Sequence, residues 1–202
     1  MKNRKGFTLV ELLAVIIILG VLLVIAVPKV SQYITKSKKD GFLAVGKLVI
    51  KSARQDLTSE LFPLPIQTND VTIITQDMIS LEEESDKSSF GGKYLYNKSY
   101  VAVINIGTGI DPEYLYFYAA QDSKDYAIPL TVESELSTDK IIAKAKNKME
   151  VTIQSLCGSE EGKQTTNAIL KGLEEYQPVD ANGNKLDWNV TIFSTDGCGV
   201  NE

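Results

Sequence analysis

The stretch that decides the fold is K-G-F-T-L-V-E-L at residues 5–12, running on as L-A-V-I-I-I-L-G-V-L-L-V-I-A-V at residues 13–27 and then Pro28-Lys29. Ahead of it stand Met1, Lys2, Asn3 and Arg4, so the first six residues are polar and basic. From Phe7 to Val27 only Thr8, Glu11 and Gly20 interrupt the apolar side chains. A helix needs about 20 such residues to cross the hydrocarbon core of a bilayer. A secretory signal has a shorter apolar core with a small-residue cleavage site at its far end. Here the far end reads Ile25-Ala26-Val27-Pro28-Lys29, which is no such site, so the run is expected to stay in the finished protein. Basic residues flank it on both sides, with Lys2, Arg4 and Lys5 before and Lys29, Lys36, Lys38 and Lys39 after. Charge therefore does not fix its orientation.

Working outward, the chain after Pro28 turns amphipathic. Val30, Tyr33, Ile34, Ser37, Gly41, Phe42, Val45, Leu48, Val49, Ala53, Leu57 and Leu61 recur at steps of three and four, with lysines and polar residues on the other face. That is a helical stripe seeking a packing surface. Pro63 and Pro65 are expected to end it, and Pro28, Gly41 and Gly46 to bend or loosen it. Beyond Pro65 the pattern is mixed. Val71–Gln76, Lys93–Ile106, Glu113–Gln121, Tyr126–Val132, Met149–Leu156 and Trp188–Ser194 read as strands. The second and third of these read as a hairpin closed by the Gly107–Pro112 turn. Thr138–Lys148 and Thr165–Tyr176 read as helices, Glu82–Gly92 as an exposed loop, and Asn182-Gly183 as a turn. The fold class is α+β. Tyr94, Tyr96, Tyr100, Tyr114, Tyr116 and Tyr118 alternate along two strands, which suggests one half-buried aromatic sheet face.

Composition narrows the function. The formal charge is −5, and loss of Lys2, Arg4 and Lys5 would make it more acidic. Such a body does not suit non-specific binding to nucleic acid, which needs clustered Lys and Arg. With no histidine there is no Ser-His-Asp or Cys-His catalysis and no imidazole metal site. No other catalytic constellation stands out, so the chain reads as no enzyme. Cys157 and Cys198 are the two cysteines. An even count after a membrane segment suggests one disulfide in an oxidising space, the alternative being two unpaired buried thiols.

The basic start, Gly6, Phe7, Glu11, the apolar span, Pro28 and the amphipathic continuation together resemble the type IV prepilins. Gly6 and Phe7 fall at the family's processing site, and Glu11 is the fifth residue after it. The resemblance covers about the first 55 residues strongly and the rest in outline. It implies a leader at 1–6, a hydrophobic transmembrane and filament-core helix at 7–28, its amphipathic continuation at 29–62, and an extracellular domain at 63–202. It implies cleavage between Gly6 and Phe7 by a membrane prepilin peptidase and N-methylation of Phe7. The subunit would then leave the cytoplasmic membrane for a surface filament, driven by an assembly ATPase and a platform protein. A carboxylate inside a membrane helix is expensive and usually functional. The reading that follows is that Glu11 attracts the Phe7 amino group of a neighbouring subunit. The bland alternative is a Glu at a helix start, held by the helix dipole and by water. Pro28 falls where many members carry a helix-breaking proline, and several groups of pilins close a C-terminal loop with a disulfide, as Cys157 and Cys198 would here.

Three readings share this processing signature: a pilus subunit, a type II secretion pseudopilin and a competence pilin. A reading from another class is a bitopic membrane protein with an extracellular binding domain and an uncut N-terminus. The lysine- and aspartate-rich composition suggests a Gram-positive, clostridial type. Among weaker signals, Asp180, Asn182, Asn184 and Asp187 place oxygen ligands at near-alternate positions, a weak calcium candidate. The glycine sits early for a calcium loop and no glutamate closes it, so an Asn-Gly turn is the simpler reading and no cofactor is required. Asn97-Lys98-Ser99 and Asn189-Val190-Thr191 match the glycosylation pattern, which by itself means little.

Overall fold

The computed structural model describes residues 8–81, 86–107, 110–143 and 170–194. The chain divides into two compact units, Met1–Lys38 and Lys39–Glu202, each described by itself. Helix α1, Leu9–Thr58, contributes to both.

In the first unit α1 is apolar on every side through Val27, and nothing there is buried. α1 runs on through Pro28, so the helix break expected at that proline does not end the helix. Proline removes one N–H from the ladder, and further along Thr35 Oγ1 also donates to the Ser31 carbonyl at 3.0 Å.

In the second unit Phe42, Gly46, Val49, Ile50, Ala53 and Leu57 form the buried face of α1, the three- and four-residue rhythm expected of an amphipathic helix. The helix stops at Thr58, short of Pro63. Leu61 N–H donates to the Asp56 carbonyl at 3.0 Å and Glu60 N–H to that of Leu57 at 3.2 Å. Glu60 takes φ 60°. This is a Schellman ending with a glutamate at the left-handed position.

The sheet contains β1 (Asp70–Thr75), β2 (Tyr100–Asn105), β3 (Tyr114–Gln121), β4 (Ala127–Val132) and β5 (Asn189–Phe193). Their order is β4-β3-β2-β1-β5. All neighbouring pairs are antiparallel except β1 with β5, which is parallel. The β2–β3 pair forms as expected, with Val103 opposite Tyr116. Alternate residues divide between two cores. Ile74, Val101, Val103, Tyr116, Tyr118 and Ala120 face the helix core with Phe42 and Val49. Val71, Ile73, Tyr100, Ala102, Ile104 and Phe117 face a second core with Leu173 and Tyr176. The period-2 alternation of a strand produces this split, and with both faces covered β2 is buried along its whole length.

Several local expectations are corrected. Lys93–Ile106, which reads as one or two strands, gives one: Tyr96–Lys98 forms a 3₁₀ turn and Tyr100–Asn105 joins the ladder. The aromatic residues do not share one face, because Tyr100 lies in the second core while Tyr94, Tyr114, Tyr116 and Tyr118 lie with the helix core. The described end of the 82–92 loop is not simply exposed. Ser88 is buried because its hydroxyl donates to Asp122 Oδ2. Thr138–Lys140 is a single 3₁₀ turn, after which Ile142 pairs with Ala127 at the β4 edge. The expected 165–176 helix is borne out where it is described: residues 170–172 are α-helical and a 3₁₀ turn follows at Glu174–Tyr176. The Met149–Leu156 strand lies outside the described residues.

Candidate functional site

The start of α1 is closed by Thr8 and Glu11. Thr8 N–H and Thr8 Oγ1–H both donate to Glu11 Oε2 at 2.8 Å. Glu11 N–H donates back to Thr8 Oγ1 at 3.3 Å. This is a reciprocal capping box, a hydroxyl residue three places before a glutamate. It holds the carboxylate in the first turn, where unpaired helix N–H groups favour negative charge. Among the described residues, Glu11 Oε1 accepts no hydrogen bond. The Thr8-x-x-Glu11 spacing is itself the signal for this arrangement, and a reading of Glu11 as a lone charge misses it.

After Glu11 the side chains from Leu12 to Val27 are apolar throughout apart from Gly20, and all are exposed within the subunit. Soluble monomers rarely present apolar surface on this scale. The helix is long and apolar enough to cross a membrane. A Cβ at Gly20 would meet nothing within 4 Å among the described residues, so none of these requires a glycine there.

Other candidate positions separate from this segment. Gly6 and Phe7, and Cys157 and Cys198, lie outside the described residues. The Asp180–Asp187 stretch forms a tight turn with Gly183 at φ 83°. Asp180 Oδ1 accepts the N–H groups of Asn182 and Asn184 at 2.8 Å, and Asp180 Oδ2 accepts Asn184 Nδ2 at 3.1 Å. These bonds, those from Asn184 first, hold the Asp180 carboxyl below its ordinary range. Val179 pairs with Lys185 across the turn, so it is a small hairpin. Among the described residues no three His, Cys, Asp or Glu side chains gather as a metal site. Asn97 sits in the 3₁₀ turn, and Asn189 Nδ2 donates to Asp70 Oδ1 at 2.9 Å beside β1.

Residues 1–27 match the family model of the prokaryotic N-terminal methylation motif. The chain is 46% identical over 56 residues to a type IV major alpha-pilin of Moraxella bovis, covering 26% of this chain and 35% of that protein. It is likewise 46% identical over 56 residues to fimbrial protein Q of the same organism, covering 26% of this chain and 36% of that one. The chain thus spans about a third of the length of the curated relatives it matches. No solved structure matches it. A methylation motif opening into a long apolar helix, whose second half lies on an antiparallel-rich sheet, is the part of this chain that is similar to type IV pilins.

Proposed function

We propose that this chain is the structural subunit of an extracellular type IV filament. Prepilin peptidase cuts the membrane-held precursor between Gly6 and Phe7, and the new Phe7 amino group is methylated. The subunit then passes, through an assembly ATPase and platform protein, from the cytoplasmic membrane into a polymer held together by α1.

The observation that carries the reading is the apolar surface of α1, which among the described residues is exposed and which begins at a single carboxylate. Water is an unfavourable environment for that surface. Lipid and a bundle of identical helices are both favourable, so transfer from one to the other exposes no apolar area to water. Within the bundle, Thr8 fixes one oxygen of Glu11 and leaves the other for the Phe7 ammonium group of a neighbour. Loss of either partner would strand a charge in an apolar core, so the pair sets the axial register between subunits.

Glu11→Ala tests the reading. The variant precursor is expected to reach the membrane at parental levels and to be absent from sheared filaments. Filaments containing the variant at parental levels would remove Glu11 from the assembly account.

A further inference from the structure

The amphipathic half of α1 carries a basic face on which Arg54 pairs with Glu133 of the body, while Lys47 and Lys51 are exposed. Helical residues advance about 100° per position. Lys47 and Lys51 therefore lie opposite the buried positions Phe42, Val49 and Ala53, and both are exposed. Residues 29–54 hold seven basic side chains against Asp40 alone, whereas residues 55–202 hold 24 acidic side chains against 11 basic ones. The charge is segregated between helix and body.

A matching surface lies across the sheet. Leu170, Leu173 and Tyr176 pack into the second core, so their segment covers the sheet face that α1 does not. The same segment exposes Glu174 and Glu175, and residues 170–187 hold Asp180 and Asp187 as well, against Lys171 and Lys185. Lys47 and Lys51 thus sit on one side of the sheet and Glu174 and Glu175 on the other. The two surfaces cannot meet within one subunit. Between successive copies they can, and a head-to-tail contact of this kind builds an open helical fibre where the rotation between copies does not close a ring.

We propose that the Lys47–Lys51 face of α1 docks on the Glu174–Glu175 face of the next copy of this chain. The inference rests on the filament reading above and adds a second contact to it, outside the apolar core. Each exposed ion pair contributes little alone. A repeated set of complementary charges steers encounter and fixes register, and juxtaposed like charges oppose the wrong arrangement.

The test uses full-length chains carrying Lys47→Glu with Lys51→Glu, Glu174→Lys with Glu175→Lys, or all four changes, with sheared filament as the readout. Each pair of reversals is expected to lower filament yield by about ten-fold or more through like-charge repulsion. Precursor level, cleavage and melting temperature should stay unchanged, and the four-fold variant should recover near-parental yield. Paired reversals that assemble like the parent overturn the docking contact alone. So does a folded four-fold variant that assembles no better than the pairs. If, in addition, the lysine reversal abolishes binding to phosphatidylglycerol vesicles, the basic face belongs to an anionic lipid surface instead. A parent chain that forms no filament overturns the filament reading itself.

Discussion

Gly46 on α1 stands directly against the ring of Tyr118 on β3: a Cβ at position 46 would lie 2.7 Å from Tyr118 Cε1 and 3.0 Å from Cδ1. The contact closes the helix onto the sheet at the centre of the core. Tyr118 is fully buried, and its hydroxyl donates to Gln76 Oε1 at 3.0 Å, just beyond the end of β1. A glycine that reads in the sequence as a loosened helix is here the reason the helix can approach closely.

Gly46→Ala is therefore expected to destabilise the body. Overpacking a well-filled core costs about 1–3 kcal/mol, more than the helix-propensity gain of up to about 1 kcal/mol that alanine brings. Thermal unfolding should show a lower midpoint for Gly46→Ala and no loss for Gly20→Ala, whose new methyl group meets nothing within 4 Å among the described residues.

The buried phenols make a prediction in pH. Burial pushes the hydroxyls of Tyr94, Tyr100 and Tyr118 above their ordinary range, with the Asp122 charge adding to the effect at Tyr94. Because these groups ionise later in the folded state than in the unfolded one, their contribution is complete below about pH 10 and is lost as pH rises beyond it. Near-ultraviolet circular dichroism should report cooperative unfolding on the alkaline side. Tyr118→Phe should reduce the steepness of that loss, while lowering neutral stability by about 1–2 kcal/mol because Gln76 Oε1 loses its donor.

Asp122 organises the turn between β3 and β4. It is buried, and Oδ1 accepts the N–H groups of Lys124 and Tyr126 at 2.9 Å while Oδ2 takes the Ser88 hydroxyl. Asp122→Ala leaves three donors without this acceptor and is expected to cost on the order of 3 kcal/mol, with Asp122→Asn costing less. Denaturant unfolding of the two variants checks the order.

Glu60 offers a gain. Its left-handed backbone at the end of α1 strains a residue with a Cβ, so Glu60→Gly is expected to stabilise by up to about 1 kcal/mol with the fold unchanged. Calorimetry reads the sign directly.

How much of this was legible in the sequence depended on range. The apolar span and the three-and-four rhythm of Phe42, Val49, Ala53 and Leu57 are local patterns, and each specified its helix. The strand runs at 71–76, 113–121 and 126–132 fell within a residue or so of β1, β3 and β4 for the same reason. The parallel placement of β5 beside β1 joins residues more than a hundred positions apart, and no local pattern carries it. The two-sided burial of the sheet likewise split the tyrosines, since Tyr100 and Tyr118 look alike in sequence but belong to opposite cores. At the candidate site, Glu11 stood out through its cost in an apolar run. The role of Thr8 was written in a four-residue spacing that is easily passed over.

The most direct test of the central claim is the N-terminal residue and intact mass of this protein as recovered from sheared surface filaments. The account predicts a chain beginning at methylated Phe7, present as a repeating component of the fibre. A chain that keeps Met1–Gly6 and stays in the membrane fraction would contradict it.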